Sequence, residues 1–346
     1  MIEEIENIVV GAGPAGLRAA QVLAEAGREV LVLEKNAEIG PKTCAGGLTT
    51  KAVRELEALG LPSDAGLPLV AHAAFAGRLV PLDPERAVVR TLARRTLGRF
   101  QAEWTRAAGA EIRTAAPVSR IDVAASTLEV AGRRIRYRHL IGADGSRSVV
   151  RRALGIPSPR AFYAAEFNVR GARADHLFVE TDAATLGSGY FWVFPHSDYV
   201  SIGAGVHKAA VRPAVIRPYL ERRIDAIGIA RGETPYEGAT IEVDFAGFDF
   251  AGGVHLVGDA AGVASGLTGE GIYAALVTGE ETARRILEPS FPPSKTRAWL
   301  RIKRIHDAIA RAWLRRPLRD LSFALLPPLC RGRRTRRWLS TLFVEA

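Results

Sequence analysis

The residues best suited to chemistry fall in four short stretches. The first is Gly11-x-Gly13-x-x-Gly16, preceded by the apolar run Ile8-Val9-Val10 and followed by a second apolar run, Val30–Leu33, that ends on Glu34. Gly11 permits a tight turn, Gly13 lets the backbone approach a pyrophosphate, and Gly16 allows close helix–strand packing. The helix that starts at Pro14 offers the free N–H groups of its first turn, from Ala15 onward, and positive dipole to phosphate. Glu34, with Lys35 beside it, stands about 20 residues on, where a carboxylate accepts from a ribose hydroxyl. This spacing predicts a dinucleotide site; a glycine turn without a ligand leaves Glu34 unexplained. The second stretch is the loop 36–51, with Cys44, Ala45, Gly46 and Gly47. The third is Asp144-Gly145, followed by Ser146 and Ser148 as candidate helix caps. The fourth is Gly258-Asp259, continued by Gly266-Leu267-Thr268-Gly269-Glu270-Gly271-Ile272. An Asx turn accounts for Asp144 alone and a helix cap for Asp259 alone. A nucleotide held by several segments accounts for both together.

The elements that must position these residues follow from periodicity and breakers. Helices are expected over Thr50–Leu59, Leu92–Ala108 (with Gly109 as its cap), Pro213–Gly228 and Ile272–Leu287. Short strands are expected between Leu67 and Arg90. Glu111–Thr114, Val118–Val123, Thr127–Val130 and Arg134–Ile141 read as a meander, and Phe162–Val206 as an antiparallel sheet with Thr240–Val243 as a return strand. Val254–Val257 reads as a buried strand. Beyond a proline-rich linker at 290–294, three helices are expected across Thr296–Phe343, broken at Pro317 and at Pro327-Pro328.

Composition sets the bounds. The 346 residues, 48% of them hydrophobic, can bury a large α/β domain with a smaller inserted one, and global disorder is excluded. Cys44 and Cys330 form neither a disulfide framework nor a C-x-x-C pattern, which fits a reducing compartment. His72, His176, His196, His207, His255 and His306 have no ligand spacing, so no metal is expected. The first strand begins almost at once, so no signal peptide is expected. No apolar run reaches the ~20 residues that span a bilayer. A cytoplasmic location follows. The net charge of +10 is uneven: from Lys295 onward 14 Lys and Arg face three acids, a net of +11, which leaves −1 for the rest. Only the tail is basic, and no nucleic-acid motif accompanies it, so nucleic acid is not an expected partner.

Taken in order, the four stretches resemble the flavoprotein superfamily of para-hydroxybenzoate hydroxylase type, over residues 5–287. The superfamily's DGxxSxVR stands intact as Asp144, Gly145, Ser148, Val150 and Arg151. The resemblance implies FAD rather than NAD as cofactor. It places Asp259 on the flavin ribose–phosphate, Arg94 or its neighbour Arg95 at the pyrophosphate, and the helix start near Gly269, Glu270, Gly271 and Ile272 at the flavin pyrimidine. Within the superfamily, Cys44-Ala45-Gly46-Gly47-Leu48 resembles the C-x-G-G segment of the geranylgeranyl reductase family. Gly189–Pro195 resembles its YxWxFP segment, and Gly266–Ile272 its PLTGEGI. Gly187 and Gly266 stand where that family has proline. The implied fold is α/β, a Rossmann-like three-layer FAD-binding domain (1–66, 94–158 and 246–288). An α+β substrate domain with an antiparallel sheet (67–93 and 159–245) is inserted in it, and a basic helical C-terminal region (289–346) follows.

The chemistry this implies is saturation of isoprenoid C=C bonds. An isolated trisubstituted alkene accepts hydride poorly. It must be held over flavin N5, shielded from water, with a proton delivered to its other carbon. The family segment makes Tyr190, Trp192, Phe194 and Pro195, with Phe191, the expected substrate wall. In an alternating strand Tyr190, Trp192 and Phe194 share one face, as they would in ordinary sheet core. Cys44 is a candidate proton relay or positioner, or else a small buried hydrophobe. Cys44, Tyr190 and Trp192 are thus the catalytic candidates. The expected partners are an isoprenoid or other apolar substrate and an external electron donor, NAD(P)H or a reduced protein carrier, because no second GxGxxG exists. Trp299, Trp313, Trp338, Leu339, Leu342 and Phe343 lie among the tail arginines. The tail either caps the fold or makes peripheral contact with anionic membrane at its inner face. Two other classes share the fold: a flavin-dependent monooxygenase or halogenase, and a non-catalytic electron-transfer flavoprotein.

Overall fold

The computed structural model describes residues 2–75, 78–83, 86, 88–329, 332 and 335. The strand Glu3–Val10 lies at the centre of a largely parallel sheet, between Val30–Leu33 and Arg133–Gly142. Glu111–Arg113 extends it on one side and Val254–Leu256 on the other. Alternation along the strands sets the layers. Val9, Val32 and Ile141 turn to one face, against Leu17, Leu23 and Ala283 of helices Pro14–Glu25 and Ile272–Leu287. Ile8, Val10, Leu31 and Leu33 turn to the other, onto Leu128, Val130 and Tyr137 of an antiparallel meander. Helices, sheet and meander are the three layers of the Rossmann-like domain. The expected four-stranded meander has three strands. Glu111–Arg113 instead pairs in parallel with Val30–Leu33, because the helix Arg94–Ala107 supplies the crossover that parallel pairing requires.

The second sheet has seven strands in the order 236–242, 161–170, 199–207, 190–195, 177–180, 71–75 and 78–81. It is antiparallel except where Leu177–Glu180 meets Ala71–Phe75. One face buries Phe167, Phe191, Val193 and Ile202 against the helix Ile216–Ala226. The other face, with Tyr190, Trp192 and Phe194, looks toward the glycine turn across a shared cavity. A small sheet of Gly47–Thr49, Val89–Thr91 and Leu67–Leu69 links the two.

The first tail helix, Ser294–Trp313, belongs to the fold. Its residues Thr296, Trp299, Lys303, His306 and Ala310 are buried, and Trp299 Nε1 donates to the Val263 carbonyl at 2.8 Å. Trp299 is therefore not available to a membrane, and of the two alternatives for the tail this helix follows the first, packing on the fold. The second tail helix, Arg316–Leu329, begins at the Leu314-Arg315 junction. Pro317 sits in its first turn, where a missing N–H costs nothing, and the helix continues through Pro327-Pro328, so neither expected break falls at its proline. The third expected helix, with Trp338, Leu339, Leu342 and Phe343, lies outside the described residues, as does Cys330.

Candidate active site

The glycine turn has the geometry its composition predicts. Gly11 adopts φ +103°, and a Cβ there would sit 2.5 Å from the Ala143 carbonyl oxygen. A Cβ on Gly16 would sit 2.0 Å from the Gly11 carbonyl oxygen, which is the close packing of helix on turn. Gly13 differs: a Cβ there meets nothing within 4 Å, because the position opens into the cavity. Glu34 is buried and lines the same cavity. It accepts from Ala12 N–H through Oε2 and from Asn36 N–H through Oε1, both at 2.9 Å.

That cavity, of about 880 Å³, is lined by Gly11, Glu34 and Asp259 at one end and by Tyr190, Trp192 and Phe194 on the second sheet. Pro14, Ala15, Lys35, Ala45, Gly46, Gly47, Asp144, Gly258, Gly269, Glu270, Gly271 and Ile272 line it too. Residues far apart in sequence thus line one cavity. Three do not. Gly16 serves packing behind the turn. Pro195 and Phe191 are corrected: alternation turns both away, Pro195 accepting from the Thr91 hydroxyl at 2.6 Å and Phe191 packing edge-on with Tyr219.

The charged residues divide by role. Asp144 is committed to the backbone: it accepts from Ser148 Oγ at 2.6 Å and from the N–H groups of Val149 and Val150, and Ser148 Oγ accepts from Arg151 N–H. Burial pushes the Asp144 carboxyl up against these bonds. Arg151 binds the carbonyls of Asp244, Ala260 and Pro157, so it holds loops rather than ligand. Asp259 accepts from Lys42 Nζ at 2.9 Å and Ser146 Oγ at 3.3 Å. Burial opposes its charge, but Lys42 and Arg94 prevail and hold its carboxyl below the usual range. Arg94 lines the cavity with a buried Nε that has no partner among the described residues, whereas Arg95 turns outward to Glu38 at 2.9 Å. Of the two arginines, Arg94 is the one that faces the cavity. Its orphaned donor and the open cradle at Gly13 fit FAD.

On the second sheet, Tyr190 donates to the Thr268 carbonyl at 2.6 Å and so ties that sheet to the loop 265–271. Burial pushes its phenol up, so it remains a donor. Glu270 accepts from Thr49 Oγ1 at 2.8 Å and lies 3.5 Å from Lys51 Nζ, with burial outweighing Lys51 to raise its carboxyl. Cys44 lines the cavity, and its Sγ accepts from Gly46 N–H at 3.4 Å. His196 holds the same loop through the Ala45 carbonyl at 2.9 Å.

Glu166 is the residue that sequence reasoning missed. Its Oε1 accepts from Cys44 N–H at 2.8 Å and its Oε2 from Ser201 Oγ at 2.9 Å, while Ser201 Oγ accepts from Trp192 Nε1 at 3.0 Å. One buried carboxylate therefore couples the Cys44 loop to the Trp192 ring. Burial pushes its carboxyl up. The available signal was a lone acid in the apolar strand AFYAAEFNVR. Lys42 was also missed; its partner Asp259 is 217 residues away. Among the described residues no group of three or more His, Cys, Asp or Glu could hold a metal.

Residues 4–277 match the FAD-binding-domain family model. Digeranylgeranylglycerophospholipid reductase 2 of Methanopyrus kandleri is 32% identical over 305 residues, covering 80% of this chain and 75% of that protein. Menaquinone reductase of Mycobacterium tuberculosis is 30% identical over 317 residues, covering 81% and 76%. The crystal structure of a geranylgeranyl bacteriochlorophyll reductase-like protein from Thermoplasma acidophilum superposes with TM-score 0.75 at 22% identity, covering 100% of this chain and 93% of that one. An anhydrotetracycline hydroxylase from Streptomyces rimosus shares the fold at TM-score 0.69 and 22% identity, covering 99% and 76%. With its cradle at Gly13, its anchored Glu34 and its C-x-G-G and YxWxFP segments on one cavity, the chain belongs to the geranylgeranyl reductase family of FAD-dependent oxidoreductases.

Proposed function

We propose that this oxidoreductase saturates C=C bonds of an isoprenoid chain, using electrons from an external donor, NAD(P)H or a reduced protein carrier. The observation that carries the reading is the single cavity shared by the dinucleotide cradle and the apolar face of Tyr190, Trp192 and Phe194. The activity named for the Methanopyrus kandleri reductases supports an isoprenoid lipid as substrate.

When bound and reduced, FAD supplies the hydride that one alkene carbon accepts; the other carbon must take a proton. Glu34, Arg94, Asp259 and the Gly13 turn are the residues that would hold the cofactor. Tyr190, Trp192 and Phe194 line an apolar path that excludes water, so the chain is fixed and side reactions are suppressed. Glu166 fixes the Cys44 loop and the Trp192 ring together, which makes it a positioning residue for both catalytic candidates. The Cys44 thiol, free and partly exposed to the cavity, is the group placed to pass a proton.

The test is anaerobic. Reduced holoprotein mixed with a geranylgeranyl lipid should regain the absorbance of oxidised flavin without oxygen. Flavin that stays reduced until oxygen is admitted, with an oxygenated product, would instead favour the monooxygenase chemistry of other proteins on this fold.

A further inference from the structure

The second tail helix has two different sides. Leu318, Leu321 and Leu325 recur at three- and four-residue spacing and are 44%, 59% and 50% exposed. Leu314, just before the helix, is also exposed. Phe323 lies on the opposite side and meets Trp313 edge-on, with ring centroids 4.8 Å apart. Trp313 in turn lines the cavity. Arg311 and Arg315 are exposed at the junction before the helix, whereas Arg316 pairs with Asp320 at 3.5 Å. The helix therefore joins a cavity wall on one side to an apolar row on the other, with two exposed arginines at the junction that leads into it.

Two glycines lie beside the tail. Gly187 adopts φ +61°, and a Cβ on it would lie 3.6 Å from Arg319 Nη1. Gly266 donates its N–H to the Asp307 carboxylate at 3.4 Å. Proline fixes φ near −65° and has no N–H. The prolines that the family resemblance places at these positions could not reproduce either feature.

We propose that helix 316–329 docks the protein on an anionic bilayer, with its leucine row in the acyl boundary and Arg311 and Arg315 at the headgroups. Trp313 and the cavity mouth then open at the membrane, where an apolar chain enters without crossing water. The arginines select the anionic surface, and a narrow leucine row suits the shallow immersion of an interfacial helix. The proposal rests on the isoprenoid-lipid reading given above.

The experiment is flotation of full-length holoprotein with vesicles of phosphatidylcholine alone or mixed with phosphatidylglycerol. The wild type should float with the mixed vesicles and not with the neutral ones. Binding should fall at least about tenfold in Leu318→Ser/Leu321→Ser/Leu325→Ser and in Arg311→Glu/Arg315→Glu, with bound FAD retained. Should the leucine triple lose FAD, Leu321→Ala alone, at the most exposed of the three positions, should still weaken binding about threefold. A wild type that floats with neither vesicle, or leucine variants that float as it does, would overturn the proposal. Flotation does not depend on turnover, so it stands if the reductase reading fails. A wild type that floats with neither vesicle yet fully turns over a detergent-dispersed substrate would sink the docking surface alone.

Discussion

At the residue scale, the glycine turn and Glu166 show opposite kinds of legibility. Gly11, Gly13, Gly16 and Glu34 act through chain geometry within one strand–turn–helix–strand unit, so their spacing alone carries the reading. They also make separable predictions. Gly13 has φ −84° and open space, so Gly13→Ala should leave the apoprotein's melting temperature unchanged or slightly higher. Its FAD affinity should drop at least tenfold, about 1.4 kcal/mol, by flavin titration. Gly11→Ala meets both a positive φ and the Ala143 carbonyl, and should destabilise even the apoprotein, by about 1–3 kcal/mol in urea unfolding. Glu166 could not be read this way, because its partner Cys44 lies 122 residues away. Burial raises its carboxyl, against bonds from Ser201, Cys44 and Asn168 and with Glu237 adding to the rise. The folded protein therefore keeps the proton to higher pH than the unfolded chain does. The resulting stability is complete below the unfolded value of about 4.5 and is lost as the pH rises through the folded value. Glu166→Gln stays neutral throughout. Its melting temperature should gain on the wild type as the pH rises from weakly acidic to neutral; parallel curves would show that Glu166 carries no such penalty.

At the element scale, helix Ile272–Leu287 was legible to both ends, because small apolar residues follow a glycine turn and a proline-rich linker closes it. Helix Ser294–Trp313 was legible as a helix but not as core. Its buried stripe is Thr296, Trp299, Lys303, His306 and Ala310, a regular helical spacing carried mostly by polar residues. Tertiary partners make that burial tolerable. Lys303 Nζ donates to the Val243 and Ala264 carbonyls at 2.8 and 2.9 Å and pairs with Asp307 at 3.0 Å. His306 Nδ1 lies 2.9 Å from Ser265 Oγ, which also accepts from the N–H groups of Leu267 and Thr268. The helix thereby holds the loop that carries Gly269 and Glu270. Trp299→Ala should cost about 3–5 kcal/mol, read by urea unfolding, with flavin retention falling in parallel. A variant as stable as the wild type would return the tail to a detachable cap. For the same reason, truncation at Lys295 does not isolate membrane binding, and point changes on the outer face of helix 316–329 are the sounder test.

At the scale of the whole molecule, the α/β class, the separated segments of the nucleotide site and the shared face of Tyr190, Trp192 and Phe194 all follow from local pattern and chain order. The sheet partner of Glu111–Arg113, the exclusion of Pro195 and the route from Trp313 to the cavity do not. Each depends on how distant elements meet, which periodicity does not encode. Among the described residues no helix is long and apolar enough to cross a membrane. The central claim is that one cavity brings an isoprenoid chain to the cofactor. The most direct measurement is mass spectrometry of geranylgeranyl lipids after anaerobic incubation with the reduced holoprotein. The account predicts that product gains the mass of two hydrogen atoms for each bond reduced, and that Trp192→Ala or Glu166→Ala lowers the yield at least tenfold, about 1.4 kcal/mol, while retaining FAD. An unchanged lipid mass beside fully reduced flavin, or a product formed only with oxygen and carrying an added oxygen atom, would contradict it.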